Sequence, residues 1–407
     1  MRFTNGGVCA PQGFKASGIH VGVKSHDPNK KDVGLIVSDV DCVTAAVYTK
    51  NVVKSAHIYV DMEHLQDNTA RAVIVNSGNA NACAPNDIEN AKRMCGAVAA
   101  KLGCEADKVL VASTGVIGQE LRIERIEENI DALCDALTHD DKGSDGAACA
   151  IMTTDTVKKE YAIETVIGGQ MINIGGIAKG SGMIHPNMGT MLCFVTTDCA
   201  ISPEMLKEAL LETVNVSFNR ISVDGDMSTN DTCLVMANGE ADNAQITAKG
   251  EDYEEFVAAL KRLCTRLAID MASDGEGAKH LITCTVRNAK TEAEAETLSK
   301  SVISSTLTKA AIFGCDANWG RVVCAMGYSG VEFDVNKVNV TFTSGAGSIA
   351  VCRDGHGLEF DEDLAKKILT EHDITIDVDM ADGEAECTCW GCDITYDYIK
   401  INGDYRT

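Results

Sequence analysis

Four stretches of the chain place apolar residues every three or four positions, which is the spacing of an amphipathic helix. The predicted helices cover residues 88–102, residues 120–138, a segment that begins at Ser202-Pro203, and residues 251–271. A serine followed by a proline is a typical helix start, because serine can cap the first turn and proline suits its first position. Each apolar stripe needs a partner surface, so we expect these helices to pack on sheets.

Apolar and polar residues alternate in two later stretches, which is the period of a half-buried strand. These stretches are residues 338–343 and 374–380, and residues 71–75 and 281–286 are further predicted strands. The order of helices and strands does not repeat as βαβ units. We therefore predict a mixed α/β fold of α+β layers in two lobes, in preference to a doubly wound parallel sheet.

The charge balance excludes some classes of partner. Of 407 residues, 60 are acidic and 36 are basic, which gives a formal net charge of −24. Phosphate backbones need a basic stripe, and no basic run is longer than the two residues of Lys30-Lys31, so no nucleic-acid partner is expected. No stretch has the apolar length of a membrane span, and the first residues lack the apolar core of a secretion signal. We expect neither a membrane partner nor export, and hence a cytoplasmic protein.

The chain has 18 cysteines, which we interpret as reduced thiols, many of them in the core. Those in apolar helical or strand contexts include Cys95, Cys134, Cys264 and Cys324. A denser group is formed by Cys387, Cys389 and Cys392. Three thiols could hold a metal, but a structural zinc site needs four ligands and no fourth lies nearby. The favoured interpretation is the end of a strand, with no metal bound.

The most unusual segment is the glycine-rich stretch of residues 175–192, which surrounds Lys179 and ends in an apolar run. It is neither a Walker loop nor a dinucleotide fingerprint. Taken alone, it is more typical of a turn into a buried strand. The alternative is chemical: a threonine hydroxyl becomes a useful nucleophile when its own α-amino group acts as the base. Thr190 would gain that amine if the chain were cut at the Gly189–Thr190 bond.

Residues 179–192, Lys179-Gly-Ser-Gly-Met-Ile-His-Pro-Asn-Met-Gly-Thr190-Met-Leu, resemble the self-cleavage segment of the ornithine acetyltransferase family. Members of this family are bifunctional arginine-biosynthesis proteins and glutamate N-acetyltransferases. The resemblance extends over nearly the whole chain, with its motifs in the family's order. The other motifs are Ala10-Pro-Gln-Gly-Phe-Lys15, Asn76-Ser-Gly-Asn-Ala-Asn-Ala-Cys83, Ser113-Thr-Gly-Val-Ile-Gly118, Met152-Thr-Thr-Asp155, Ser222-Val-Asp-Gly-Asp226, Ser228-Thr-Asn-Asp-Thr232, Asp274-Gly-Glu-Gly-Ala278, Asn318-Trp-Gly-Arg321, Trp390-Gly-Cys-Asp393 and residues 398–407.

The resemblance implies a fold that ornithine acetyltransferases share with N-terminal-nucleophile aminopeptidases. It implies a precursor that cuts itself into an α chain, residues 1–189, and a β chain, residues 190–407, which pair as α2β2. It also implies a ping-pong reaction in which N2-acetylornithine acetylates Thr190 and glutamate then takes the acetyl group. Some members accept acetyl-CoA as the donor, and no resident cofactor is expected.

The resemblance also assigns residue roles. Thr190 is the nucleophile, and Thr114 and Gly115 stabilise the oxyanion. The positions that match the family's substrate contacts are Thr153, Lys179, Thr190, Glu276, Asn402 and Thr407. We expect Lys179 to meet the substrate carboxylate and Glu276 to meet a substrate ammonium group. Taken alone, Glu276 would suit a helix end and Asn402 a turn.

Two positions depart from the family's usual alanine, namely Gly189 and His185. Other N-terminal-threonine enzymes cut after glycine, so cleavage is expected to survive. His185 is expected to be a bystander, although it could change substrate preference or the pH dependence of cleavage.

Two other functions stay open from the residues. An N-terminal-nucleophile amidase or aminopeptidase of the same fold would pass its acyl group to water instead of glutamate. A non-enzymatic acidic scaffold would use the three cysteines at residues 387–392 as a metal site.

Overall fold

The helices and strands form two layered units, each built on its own β-sheet. The structure is a computed structural model, and it describes residues 1–24, 27–185 and 191–403. The strands are β1 Arg2–Thr4, β2 Phe14–Ile19, β3 Val33–Tyr48, β4 Thr69–Asn76, β5 Val109–Ser113, β6 Lys159–Ile167, β7 Gln170–Lys179, β8 Leu192–Thr197, β9 Ile221–Ser222, β10 Thr232–Ala237, β11 Leu281–Ala289, β12 Asn339–Ser344, β13 Gly347–Arg353, β14 His356–Gly357, β15 Asp373–Asp379 and β16 Ala385–Cys392.

The helices alternate irregularly with these strands, as the sequence pattern predicts. They are α1 Ala56–His64, α2 Asp87–Leu102, α3 Ile123–Glu127, α4 Ile130–Asp135, α5 Asp141–Ile151, α6 Pro203–Val216, α7 Glu251–Ser273, α8 Glu292–Ser304, α9 Thr306–Phe313, α10 Trp319–Gly327, α11 Glu362–Thr370 and α12 Tyr396–Gly403.

Both sheets are mixed within the described residues. The first has the order β1-β6-β7-β8-β10-β3-β4-β5, with β2 paired to β3, and the second has the order β14-β13-β12-β15-β11-β16-β9. Parallel pairs, such as β8 with β10 and β11 with β15, lie among antiparallel ones. The predicted mixed α/β class is therefore confirmed.

Successive side chains along a strand of the first sheet point to opposite faces, and the two faces pack against different helices. On β8, Phe194 packs with residues of α5, whereas Cys193 and Val195 pack with α6 and α7. At the other end of the sheet, β4 and β5 pack against α1 to α4. The second sheet has a separate core with α8 to α11. These two sheets with their own cores correspond to the predicted lobes.

Most predicted elements are confirmed, and the start of α6 shows why. Its Ser202 side chain accepts a hydrogen bond from the Met205 amide at 3.4 Å, and Pro203 occupies the first helical position. The prediction of one helix over residues 120–138 is wrong, because the chain forms α3 and α4 instead. Between them, the Asn129 side chain donates to the Arg125 carbonyl at 2.8 Å, and such local side-chain bonds compete with helix continuation.

All 18 cysteines are unpaired. Cys95 and Cys264 are buried as predicted, but Cys324 is exposed, because α10 turns it away from the apolar face that holds Val322, Ala325 and Met326. The three cysteines of residues 387–392 lie within β16, and Cys392 is its last residue. Among the described residues, no helix is long and apolar enough to cross a membrane.

Candidate active site

One cavity lies where β7 ends and where β8 and β10 begin. Lys179, the last residue of β7, pairs with Leu192 at the start of β8, and Leu192 pairs with Thr232 at the start of β10. The cavity has a volume of about 720 Å³, part of it open to solvent. The predicted site residues that line it are Thr114, Gly115, Thr153, Lys179, Glu276 and Asn402.

The other predicted site residues, Gly189, Thr190 and Thr407, lie outside the described residues. Met191, which directly follows Thr190 in the chain, lines the same cavity. Six predicted residues from five motifs are thus brought together next to the predicted nucleophile's position in the chain. Their roles stay predictions at this point.

The turn after β5 contributes Thr114 and Gly115. Gly115 has a φ of 133°, and a Cβ at this position would lie 2.8 Å from the Asn79 nitrogen, so a side chain would force the turn to shift. The Thr114 amide donates to the Asn76 carbonyl at 2.9 Å, which fixes the turn. The Thr114 hydroxyl forms no hydrogen bond with any residue that the structure describes. It is therefore available to a group in the cavity.

Lys179 is a buried cation with no hydrogen-bond or ion-pair partner among the described residues. Burial lowers the pKa of its ammonium group, and the nearby Asp155 carboxylate opposes this effect. Like Asp155, the charges of Asp231 and Glu276 act to raise the pKa of Lys179. An unpartnered buried ammonium group that lines a cavity is well suited to bind a carboxylate.

Glu276 is a buried carboxylate in the same cavity. The Asn402 side chain on α12 donates to its Oε2 at 2.6 Å, and the Glu276 amide donates to the Ser181 carbonyl at 2.9 Å. A Cβ at Gly182 would lie 2.4 Å from the Glu276 side chain, so Gly182 leaves the room that this carboxylate occupies. The cavity therefore presents one buried positive group and one buried negative group.

A buried ion-pair network holds the segments that carry Thr153 and Lys179. The Lys159 ammonium group lies 2.7 Å from Asp155 Oδ1 and 2.6 Å from Asp274 Oδ2. Asp155 also accepts hydrogen bonds from the Thr153 amide at 3.0 Å and the Gly180 amide at 2.8 Å. Burial would raise the pKa of Asp155, but the lysine charges outweigh burial and hold the pKa below its usual range.

Sequence reasoning missed this network and two further residues of the cavity. Asn230 donates to the Ala80 carbonyl at 2.7 Å and to the Ser113 carbonyl at 2.6 Å, so it joins the loop after β4 to the end of β5. Asp231 is a buried acid beside it. Both belong to the motif of residues 228–232, so the motif pointed to the segment without assigning these side chains a role.

His185 does not line this cavity. Its Nδ1 lies 3.0 Å from the Ser222 hydroxyl, and the side chain borders a second cleft beside Lys300 and Ser304 on α8. Burial, with a smaller contribution from Lys300, lowers the pKa of His185 to about 4. The imidazole is therefore neutral at pH 7 and borders the second cleft instead of the candidate site.

Comparison with known proteins decides the family, because a model of the ArgJ family matches residues 15–407. The chain belongs to the ArgJ family. The arginine biosynthesis bifunctional protein ArgJ of Caldanaerobacter subterraneus subsp. tengcongensis is 48% identical over 408 residues, which cover 100% of both chains. The ArgJ protein of Bacillus subtilis is 45% identical over 404 residues, which cover 99% of this chain and 97% of that protein. The family predicted from the motifs is confirmed.

A solved ArgJ structure from Bacillus halodurans is 42% identical, with a TM-score of 0.50. The alignment covers 98% of that chain but 52% of this one, so the solved chain is about half as long.

The ArgJ match also leaves the two alternative functions, the amidase or aminopeptidase and the metal-binding scaffold, without support. Among the described residues, no group of three His, Cys, Asp or Glu side chains could hold a metal ion.

Proposed function

We propose that this protein is an acyltransferase of arginine biosynthesis, which moves the acetyl group of N2-acetylornithine to glutamate and releases ornithine and N-acetylglutamate. The observation that carries the proposal is the cavity in which six residues from five ArgJ-type motifs meet beside Met191. Both substrates are small amino acids with charged ends. The buried Lys179 and Glu276 offer complementary charges to such molecules.

The precursor cuts itself before Thr190 in this proposal. The Thr190 hydroxyl attacks the Gly189 carbonyl carbon, the carbon–nitrogen bond breaks, and the nitrogen leaves as an amine. Water then hydrolyses the ester, which releases the Gly189 carboxylate and restores the hydroxyl. The half-length solved relative supports two chains, and pairing of β7 with β8 would hold residues 1–189 and 190–407 in one sheet. We propose the α2β2 assembly of the family for these chains.

Acetyl transfer would again use the Thr190 hydroxyl as the nucleophile. The free Thr190 amine takes the hydroxyl proton while the oxygen attacks the acetyl carbonyl of N2-acetylornithine. The Thr114 hydroxyl and the Gly115 amide donate to the oxyanion of the tetrahedral intermediate. Ornithine leaves with the proton from the Thr190 amine. Glutamate then attacks the acetyl-threonine ester through its own amine, and the hydroxyl is restored.

The remaining cavity residues would bind the substrates. Lys179 receives the substrate α-carboxylate, Glu276 receives an ammonium group, and Thr153, Asn402 and Thr407 supply hydrogen bonds. Acetyl-CoA is a candidate second donor, which would agree with the word "bifunctional" in the names of the relatives. No resident cofactor is required, because each donor already carries its acetyl group. The cytoplasm is the proposed compartment.

The test is the intact mass of the purified protein under denaturing conditions, before and after incubation with N2-acetylornithine. The expected result is two fragments that meet at the Gly189–Thr190 bond, the β fragment becoming one acetyl group heavier. Glutamate should remove that group and appear as N-acetylglutamate. An uncut chain would contradict the proposal. Loss of the acetyl group to water at the same rate without glutamate would indicate a hydrolase.

Removing the amide that holds Glu276 should weaken substrate binding. Asn402→Ala deletes a hydrogen bond to a buried carboxylate, which is worth about 1.5 kcal/mol, so KM should rise about tenfold and kcat should change less. Steady-state transfer kinetics give both constants. Asn336→Ala is the matched control, since Asn336 donates to Asp334 at 3.0 Å on the exposed surface. A fall in kcat at constant KM would contradict a binding role.

His185→Ala should leave cleavage and transfer within about twofold of wild type, because the imidazole is neutral and borders the second cleft. The measurement is the cleavage half-time and the kcat/KM of transfer from pH 5 to pH 9. A change in the pH profile, at unchanged thermal stability, would give His185 a functional role after all.

A further inference from the structure

Asn230 is a buried amide whose side chain bonds to two loops of the candidate site. It lies two residues before β10, is 5% exposed and lines the cavity. Its Nδ2 atom donates to the Ser113 carbonyl at 2.6 Å and to the Ala80 carbonyl at 2.7 Å. Carbonyl oxygens only accept hydrogen bonds, so the nitrogen end of the amide must face both of them. The Thr229 hydroxyl donates to the amide oxygen at 2.5 Å, which supports the same orientation.

The Ser113 carbonyl and the Thr114 amide belong to one peptide group, and both ends of this group are held. Asn230 donates to the carbonyl oxygen, while the amide donates to the Asn76 carbonyl at 2.9 Å. Because a peptide group is planar, hydrogen bonds at its two ends fix its rotation. The next peptide group carries the Gly115 amide. The directions of the Thr114 side chain and the Gly115 amide therefore depend on how this peptide group is held.

The second bond of Asn230 holds the other side of the same turn. The Ala80 carbonyl accepts from Asn230, and the Ala80 amide donates to the Val116 carbonyl at 3.0 Å. Gly115 thus lies between two residues, Thr114 and Val116, that are both bonded to the loop after β4. Among the described residues, the Gly115 amide has no hydrogen-bond partner. It is therefore available to an oxyanion in the cavity.

Asn230 also joins this turn to a distant part of the sheet. The Thr232 amide at the start of β10 donates to the Met191 carbonyl at 2.8 Å, and Thr232 pairs with Leu192 of β8. Two strands, β3 and β4, lie between β10 and β5 in the sheet. No direct ladder between β10 and β5 sets the position of the turn relative to β8. The Asn230 side chain bridges that gap.

We propose that Asn230 is a positioning residue for acetyl transfer, which aims the Thr114 hydroxyl and the Gly115 amide at the oxyanion. Both N–H groups of its amide are taken up by the Ser113 and Ala80 carbonyls, so it acts through the turn and not on the substrate. The inference rests on the proposed function, which assigns the oxyanion to these two donors. Such donors stabilise a transition state only when they are aimed in advance, and a shift of about 1 Å costs about 100-fold in rate.

The test replaces the amide by an apolar side chain of similar size. Asn230→Leu removes both donors, and rapid-quench mass spectrometry of the cut protein follows acetylation by N2-acetylornithine and deacetylation by glutamate separately. Both half-reactions pass through a tetrahedral intermediate in which the acetyl oxygen is the oxyanion. Both rates should therefore fall by a similar factor of about 100. KM for each substrate should stay within about twofold, because the donors act mainly in the transition state.

Asn243→Leu is the matched control. Asn243 is 7% exposed, and its Nδ2 also donates to two loop carbonyls, that of Ala200 at 3.1 Å and that of Ala244 at 2.9 Å. It does not line the cavity. This variant loses the same kind of hydrogen bonds, but both half-reactions should stay within about twofold of wild type.

Asn230→Asp tests the hydrogen bond itself. A carboxyl group at this position donates only when it is protonated, and it then restores one of the two bonds. The kcat of Asn230→Asp, relative to wild type at the same pH, should therefore rise as the pH falls from 9 to 5. The same ratio for Asn230→Leu should not change with pH. A ratio for Asn230→Asp that stays as low as that for Asn230→Leu at every pH would contradict the inference.

The outcomes separate the two proposals. A wild-type protein that forms no acetylated β fragment overturns the proposed function and this inference together. If the wild type transfers acetyl, a folded Asn230→Leu variant that keeps both rates within about threefold, slows only one half-reaction or changes KM alone overturns the inference alone. If Asn230→Leu yields no folded, cut protein, Asn230→Ala takes its place with the same expectation. If neither yields such protein and Asn243→Leu does, Asn230 serves folding or cleavage, and its role in transfer is overturned.

Discussion

Thr190→Ala is expected to leave a single uncut chain of 407 residues and to reduce acetyl transfer by at least about 10⁴-fold. Alanine lacks the hydroxyl that attacks Gly189 and later carries the acetyl group. The same change therefore removes maturation and turnover. Intact mass under denaturing conditions measures the loss of cleavage, and production of N-acetylglutamate from N2-acetylornithine measures the loss of acetyl transfer.

Two controls separate these losses. Thr190→Ser keeps a hydroxyl and should still be cut, which shows that the position tolerates substitution. A Thr190→Ala chain that is supplied already cut, as residues 1–189 and 190–407 expressed together, should assemble but remain inactive. Activity of that pre-cut variant would show that Thr190 serves maturation only, and cleavage of the uncut variant would place the scissile bond elsewhere.

The sequence predicts those parts of the fold that depend on local patterning. The helices α2, α6 and α7 follow apolar stripes, and the strand β15 follows strict alternation, because each element buries one face. The predicted helix over residues 120–138 is wrong where Asn129 bonds to the backbone, a local choice that an apolar stripe does not reveal. The pairing of β8 with β10 cannot be predicted from local patterning, because it forms only when distant parts of the chain fold together.

The candidate site can also be predicted from the sequence only in part. Motifs and a resemblance name Thr114, Lys179 and Glu276, and the fold brings them to one cavity. The residues that hold them are not apparent in the sequence, because acids and lysines are usually exposed and Lys159 lies 115 positions from Asp274. Such pairs become visible only when β6 and the end of α7 meet.

Lys159 is a supporting residue whose loss should have the largest effect on stability. It is 1% exposed and lies between the carboxylates of Asp155 and Asp274. Asp274 in turn accepts from the Thr156 amide at 3.0 Å, and its carbonyl accepts from the Ser181 hydroxyl at 2.8 Å. Lys159→Met leaves both carboxylates buried without their cation, which should lower the free energy of unfolding by about 3–5 kcal/mol.

The pH dependence of unfolding distinguishes this explanation from a simple packing defect. In the wild type, the depressed pKa of Asp155 stabilises the fold above the unfolded pKa of about 3.9, and this contribution is lost as the pH falls through the folded pKa. Without Lys159, burial should raise the pKa of Asp155. The variant should therefore become more stable between about pH 7 and pH 5, as protonation removes the unpaired charge.

Denaturant unfolding at several pH values measures this difference. Lys337→Met is the control, because Lys337 pairs with Asp382 at 2.7 Å on the exposed surface, where such pairs contribute little. It should unfold like the wild type at every pH. Lys159→Met should also raise KM for both substrates, since Asp155 positions the amides of Thr153 and Gly180 at the cavity. A variant whose stability loss is the same at pH 5 and pH 7 would show that the charges of this network do not stabilise the fold.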